Sequence, residues 1–201
     1  MPERKAFVAW ISICCLLFRS LLPLVQYGPL LQDPEFDTAL VRAKQSAFPD
    51  VLKTENYPFS SLTRAQSAPW FTRFAQEIDL AFTKTEEECI FTDISSLDVS
   101  VQEAIIQGCR YGFFQGYSGG FVPQDPLSKA AAIVVVTRIL MSEQTFPIVK
   151  DFRVPYMDEA VSIGILHKPK HPYLMYPISR YELLLLVWRA YQYAGETIDN
   201  E

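Results

Sequence analysis

The sequence predicts an all-α chain of three helix–loop–helix units. Three observations carry that expectation. A hydroxyl residue followed by a cation recurs in "SLTRAQ" at 61–66, "PLSKAA" at 126–131 and "PISRYE" at 177–182. An apolar helical face follows each occurrence at the same offsets, and an alanine-bearing apolar segment precedes it. Repetition of this kind marks an architecture in which each copy is one supersecondary unit.

The first element is a leader. "MPERK" carries two cations and precedes "AFVAWISICCLLF", thirteen uncharged residues, which fits a secretory h-region. Arg19 interrupts the run, but "SLLPLVQYGPLL" extends its apolar character to Leu31. A span needs roughly 20 residues, and no small-x-small cleavage site stands here, so residues 1–32 are expected to be either a signal peptide or a membrane anchor. Cys14 and Cys15 fall inside the apolar run, without a lipoprotein box before them. The expectation is export to the cell surface or wall, with any membrane contact confined to residues 6–31.

Unit one is placed at 33–84, with a first helix at "DTALVRA", a loop at "FPDVLKTENYPFSS" and a motif helix after Thr63. Ser67, Trp70, Phe71 and Phe74 share one face of that helix. Pro69 is expected to kink the helix or end its first turn. Unit two, 85–146, repeats the order with "QEAIIQG", "GFFQGYSGGFVPQDP" and the face Ala132, Val135, Val136 and Ile139. Unit three, 147–195, has "DEAVSIG", "LHKPKHPYLMYP" and the face Leu183, Leu186, Val187 and Ala190, and 196–201 is a tail. Ala39 and Ala104 precede their motif cations by 25 residues and Ala160 by 20, so the third loop is shorter.

Thr63, Ser128 and Ser179 are expected N-caps, their hydroxyls accepting from orphan amides of the first turn. Gln66 and Glu182 complete capping boxes three residues on, whereas Ala131 leaves the middle box incomplete. Leu62, Leu127 and Ile178 stand at the hydrophobic-staple position. The cations Arg64, Lys129 and Arg180 are harder to account for, because the partial positive charge of a helix start disfavours them by up to about 1 kcal/mol. An anionic group bound there would reverse that sign, with amides, dipole and cation pointing at one volume. A second cation follows each by nine residues: Arg73, Arg138 and Arg189.

Composition narrows the function. The chain has 201 residues, a net charge of −5 and 49% apolar residues, ordinary for a globular protein and against a nucleic-acid partner, which wants a basic stripe. Outside the leader only Cys89 and Cys109 remain; they are either a disulfide, which an exported chain permits, or two buried thiols. His167 and His171 are four apart, but the prolines of "HKPKHPYLMYP" forbid a helical metal pair. No metal site, cofactor, nucleophile elbow or phosphate loop is expected, and the chain is not read as an enzyme. Acidic neighbours such as Asp93 and Asp98, or Glu86 to Glu88, read as caps and solvated charge.

The stretch "FTDISSLDVSVQEAIIQGCRYGFFQGYSGGFVPQDPLSKAAAIVVVTRIL" resembles the S-layer homology (SLH) repeat in its opening "FTDI", its alanine-bearing helix, its glycine loop and its motif helix ending in arginine. "LTRAQSAPWFTRFA" and "YPISRYELLLLVWRA" resemble the same signature helix, so the likeness covers about residues 33 to 193. The resemblance implies three repeats around a central three-helix bundle with pseudo-threefold arrangement. It also implies non-covalent anchoring to an anionic wall polysaccharide, either secondary cell wall polymer or peptidoglycan-linked glycan. Residue by residue it puts ligand binding on Arg64, Lys129 and Arg180, with their caps Thr63, Ser128 and Ser179, and on the loop glycines Gly116, Gly119 and Gly120. Tyr117, beside those glycines, is the aromatic expected to meet a sugar ring. Copy two departs by carrying lysine, which lacks the bidentate fork; copy one lacks the glycine loop; copy three has a shortened one. The alternative expectation is a surface protein-interaction or self-assembly module with the same fold, with other surface proteins as partners. Leader plus repeats without an effector domain suggests a small surface component or an adaptor.

Overall fold

The computed structural model describes residues 34–45, 59–78, 89–117, 119–141, 151, 153–166 and 174–198. They hold the helices α1 Pro34–Gln45, α2 Arg64–Glu77, α3 Val99–Arg110, α4 Lys129–Leu140, α5 Arg153–Ser162 and α6 Arg180–Ile198. Among the described residues extended backbone pairs only as isolated bridges, so their fold is all-α. The leader, Glu86 to Glu88 and the loop with His167 and His171 lie outside these residues. No described helix is long and apolar enough to cross a membrane.

The chain divides into two compact units, Met1–Thr38 and Ala39–Glu201. Of the first, only the opening of α1 is described, where Thr38 Oγ1 donates to the Pro34 carbonyl at 2.7 Å. The remaining elements belong to the second. There α2 lies against α3 and more lightly against α4, and α4 also lies against α5 and α6. Ala39, Arg42 and Ala43 of α1 share a small crevice with Leu184, Val187, Trp188 and Tyr191 of α6.

The motif segments meet just before their helices. Leu62 N–H donates to the Ile178 carbonyl at 3.1 Å, Ile178 N–H to Leu127 at 2.8 Å, and Leu127 N–H back to Leu62 at 2.8 Å. The circuit is closed, and all three side chains are buried. Each such side chain contributes roughly 1.5–3 kcal/mol when fully withdrawn from water. One step further along, Arg64 N–H donates to Asp125, Lys129 N–H to Tyr176 and Arg180 N–H to Ser60, at 2.9, 3.0 and 3.1 Å. The staple residues of the sequence are thus the inner ring of a backbone clasp joining α2, α4 and α6 at their starts.

The helix faces read from the sequence are buried without exception, from Ser67, Trp70, Phe71 and Phe74 to Leu183, Leu186, Val187 and Ala190. Pro69 does not end α2, which continues to Glu77. Proline removes one intrahelical donor, and the burial of Trp70, Phe71 and Phe74 beyond it outweighs that loss. At the far end of the helices Tyr191 of α6 donates its hydroxyl to the Glu77 carboxylate of α2, which also holds Arg73 Nε at 2.8 Å. Burial, reinforced by that carboxylate, raises the Tyr191 pKa.

Candidate functional site

The sequence places hydroxyl caps before α2, α4 and α6, and the caps form. Thr63 Oγ1 accepts from Gln66 N–H at 3.2 Å while Gln66 Oε1 accepts from Thr63 N–H at 3.0 Å. Ser179 and Glu182 make the same reciprocal pair, at 3.2 and 3.0 Å. Ser128 accepts from Ala131 N–H at 3.2 Å, and Ala131 returns nothing. Asp98 opens α3 without a side-chain cap bond, unlike the role its position suggests.

Arg64, the first residue of α2, turns into the loop that precedes α4. Its Nε donates to the Phe121 carbonyl at 2.8 Å and Nη2 to the Gln115 carbonyl at 3.1 Å. The guanidinium carbon sits 4.6 Å from the Phe121 ring centroid, within cation–π range. Burial lowers the Arg64 pKa, while the charges of Asp125 and Asp93 work in the opposite direction.

The loop that Arg64 holds is braced from its other side. Asp93 accepts from Phe121 N–H at 2.9 Å and from Val122 N–H at 2.7 Å. The Phe121 bond, followed by the Val122 bond and the Arg64 charge, keeps the Asp93 carboxyl below the usual carboxylate range against a smaller desolvation effect. Phe91 packs on Phe121 at 5.5 Å, and Phe121 continues through Phe114 at 5.6 Å to Phe71 of α2 at 6.0 Å. A disulfide between Cys89 and Cys109 fastens the segment carrying Phe91 and Asp93 to α3. Val122 has φ 55°, a conformation costing a β-branched residue about 1–3 kcal/mol, which persists only when its surroundings over-determine it. Asp93 supplies that restraint.

The predicted glycines have backbone reasons. Gly119 has φ 81° and open space about it, in the turn closed by Tyr117 N–H to Gly120 O at 2.8 Å and Gly120 N–H to Tyr117 O at 3.0 Å. A Cβ on Gly116 would lie 2.6 Å from Phe91, and one on Gly120 2.8 Å from Asp93 Oδ2.

Between this loop, α4 and the start of α5 lies a groove of about 410 Å³. Of the residues singled out from sequence, Arg64, Gly116, Tyr117 and Ser128 line it. So do Arg138 and Arg153, which motif reasoning leaves out of the site, and one carboxylate, Asp125. Arg138 Nη2 donates to Gln115 Oε1 at 3.2 Å and its guanidinium lies 5.0 Å from the Tyr156 ring centroid; both contacts are with uncharged groups. Arg153 grips Asp151 through Nε and Nη2, each at 2.7 Å, and the Asp151 bond raises its pKa. The signal for Arg138 was the cation nine residues after Lys129: at 3.6 residues per turn that spacing sets the two on opposite faces of α4, and they line different grooves. Tyr117, at 79% exposure, stands at the rim.

The other predicted residues are not brought here. Thr63 and Ser179 serve as caps, and Gly119 and Gly120 do not line the groove. Lys129 lines a second groove, of about 250 Å³, with Ile133, Leu166, Leu185 and Arg189. There its ammonium is bonded to the Glu182 carboxylate. Burial raises the Glu182 pKa, but the Lys129 and Ser179 bonds together hold it below the ordinary value. Arg180 begins α6 beside Ser60, and the loop 46–58 leading there lies outside the described residues. One expectation is corrected: the first-turn amides of α2 are not open to an anion. Arg64 N–H and Ala65 N–H donate to Asp125 and Pro123 carbonyls at 2.9 and 3.0 Å, and Gln66 N–H is held by its cap.

A scan against protein-family models and a search of the curated proteins returned no match to this chain.

Proposed function

We propose that the chain is a three-repeat SLH-like module of an exported protein, with α2, α4 and α6 as a pseudo-threefold central bundle. Its function is non-covalent attachment to an anionic polysaccharide of the bacterial envelope. The observation that carries this reading is the convergence of Arg64 and Arg138 on one groove with an exposed tyrosine at its rim. A guanidinium recognises a carboxylate by charge-assisted, often bidentate bonds, and an exposed phenol ring offers a flat apolar face with a polar tip. Those are the two demands of an acidic sugar. The repeated backbone clasp of Leu62, Leu127 and Ile178 supports the repeat reading, and the Cys89–Cys109 bridge is chemistry that oxidising compartments allow.

Recognition on this reading is by side chains around a rigid loop. Arg64 keeps its charge while its carbonyl contacts fix its direction, so little freedom is lost when a ligand arrives. Among the described residues the partners of Arg138 are the neutral Gln115 and Tyr156, and Ser128 adds a hydroxyl to the lining. Co-sedimentation with wall sacculi, before and after removal of the secondary polymer, tests this. The chain should pellet with intact sacculi and stay in solution with stripped ones. Failure to pellet with either preparation would end the anchoring reading in favour of a protein-interaction module.

A further inference from the structure

For the caps Ser128 and Ser179, the residue three positions on lies in the groove of the preceding motif cation, and that residue differs between the two grooves. Ala131 lines the groove of Arg64, whereas Glu182 lines the groove of Lys129 and is bonded to it. Lys129 and Glu182 are both substantially withdrawn from solvent, with side chains 27% and 37% exposed. A carboxylate in contact with the ammonium cancels its field over the groove, and a second anion entering would meet that carboxylate at close range. The remaining wall is Arg189 and aliphatic side chains, from Ile133 and Ile165 to Leu185 and Leu186. In the Arg64 groove the corresponding position is Ala131; the carboxylate that lines that groove, Asp125, acts on Arg64 by its charge, with no ion pair between the two among the described residues.

We propose that this position selects the working groove: Ala131 leaves the Arg64 groove receptive to an anionic sugar, and Glu182 closes the Lys129 groove to one. The proposal rests on the anchoring reading and adds to it which groove is used and which residue decides. Glu182 does this in addition to capping α6. The two roles are separable, because Gln66 makes the same box with Thr63 while bearing no charge.

The test uses Glu182→Gln and Ala131→Glu in the full chain, titrated with methyl β-D-glucuronide and with the neutral methyl β-D-glucoside, and followed by amide NMR. Gly116 and Val122 report on one groove, Leu166 and Arg189 on the other. Both variants should keep the fold, since glutamine already caps α2 and Ala131 is partly exposed at a position where glutamate completes a box. With the wild-type chain the glucuronide, not the glucoside, should shift Gly116 and Val122 saturably and leave Leu166 and Arg189 unmoved. Ala131→Glu should weaken that response about tenfold or more, the scale of a like charge set into a site, and Glu182→Gln should add a saturable response at Leu166 and Arg189. Wild-type responses in both grooves, no gain with Glu182→Gln, or undiminished binding by Ala131→Glu would each overturn the proposal and leave anchoring intact. Absence of any response at Gly116 and Val122 in the wild-type chain would overturn both.

Discussion

Arg64 donates to the carbonyl of Phe121 at 2.8 Å and lies against the ring of the same residue, its guanidinium carbon 4.6 Å from the centroid. The side chain that faces the groove is therefore also a strut of the loop that forms its wall. Replacing Arg64 by alanine should cost both binding and stability, the latter by about 1–3 kcal/mol for a charged donor and the carbonyls it leaves. Lysine should restore charge without the two-carbonyl fork and fall between the two. Urea unfolding at constant m-value measures the stability, and an unchanged midpoint for Arg64→Ala would show that the strut carries no weight.

Asp93 makes the loop sensitive to acid. Its folded pKa is depressed below the ordinary 3.8, so the native state binds fewer protons than the unfolded chain in that range. The resulting stability is complete above the ordinary carboxylate value and is lost as pH falls through the depressed one. Glu182, also depressed, acts with the same sign. Melting temperature should therefore decline below about pH 4, and Asp93→Asn should flatten that limb while lowering the neutral plateau. An acid limb of undiminished slope in Asp93→Asn would remove Asp93 from the account.

The Cys89–Cys109 bridge closes a loop across 20 positions. Chain-entropy reasoning gives such a loop about 3 kcal/mol, and the segment it fastens carries Phe91 and Asp93. Reduction, or replacement of both cysteines by serine, should lower stability by that order and speed amide exchange at Phe121 and Val122. Faster exchange elsewhere with those two amides still protected would show that the bridge does not brace the groove.

Tyr117 is different in kind, being mostly exposed and outside the core. Tyr117→Ala should weaken binding of the envelope polymer about two- to tenfold, the range of one aromatic contact, with no shift in melting temperature. Loss of stability without loss of affinity would reassign it to the turn.

Short-range features were legible in the sequence because their partners are near in the chain. Thr63 and Gln66, or Ser179 and Glu182, are three residues apart, and a helical face needs only periodicity. The clasp of Leu62, Leu127 and Ile178 was readable only as three local staples, since its bonds join segments far apart in the chain. The same distance explains the amides: Arg64 N–H looks orphaned until Asp125 arrives from the loop before α4. Lys129 and Glu182 were both conspicuous as letters, but no spacing rule joins residues separated by 53 positions. Arg138 was visible as a repeated cation and lacked only the loop it faces. Pro69 does not end α2 because propensity is local while the burial of Phe71 and Phe74 is not.

An anionic ligand in this groove is tested by the affinity of purified envelope polymer for the wild-type chain and for Arg138→Gln, by calorimetry at low and high salt. Among the described residues Arg138 bonds Gln115 and lies over the Tyr156 ring, with no ion pair, so the variant should still fold, with at most a small drop in melting temperature. Its affinity should fall about tenfold or more, the size of a lost charge-assisted bond, and depend less on salt. Wild-type affinity with wild-type salt dependence in Arg138→Gln would contradict an anionic ligand in this groove.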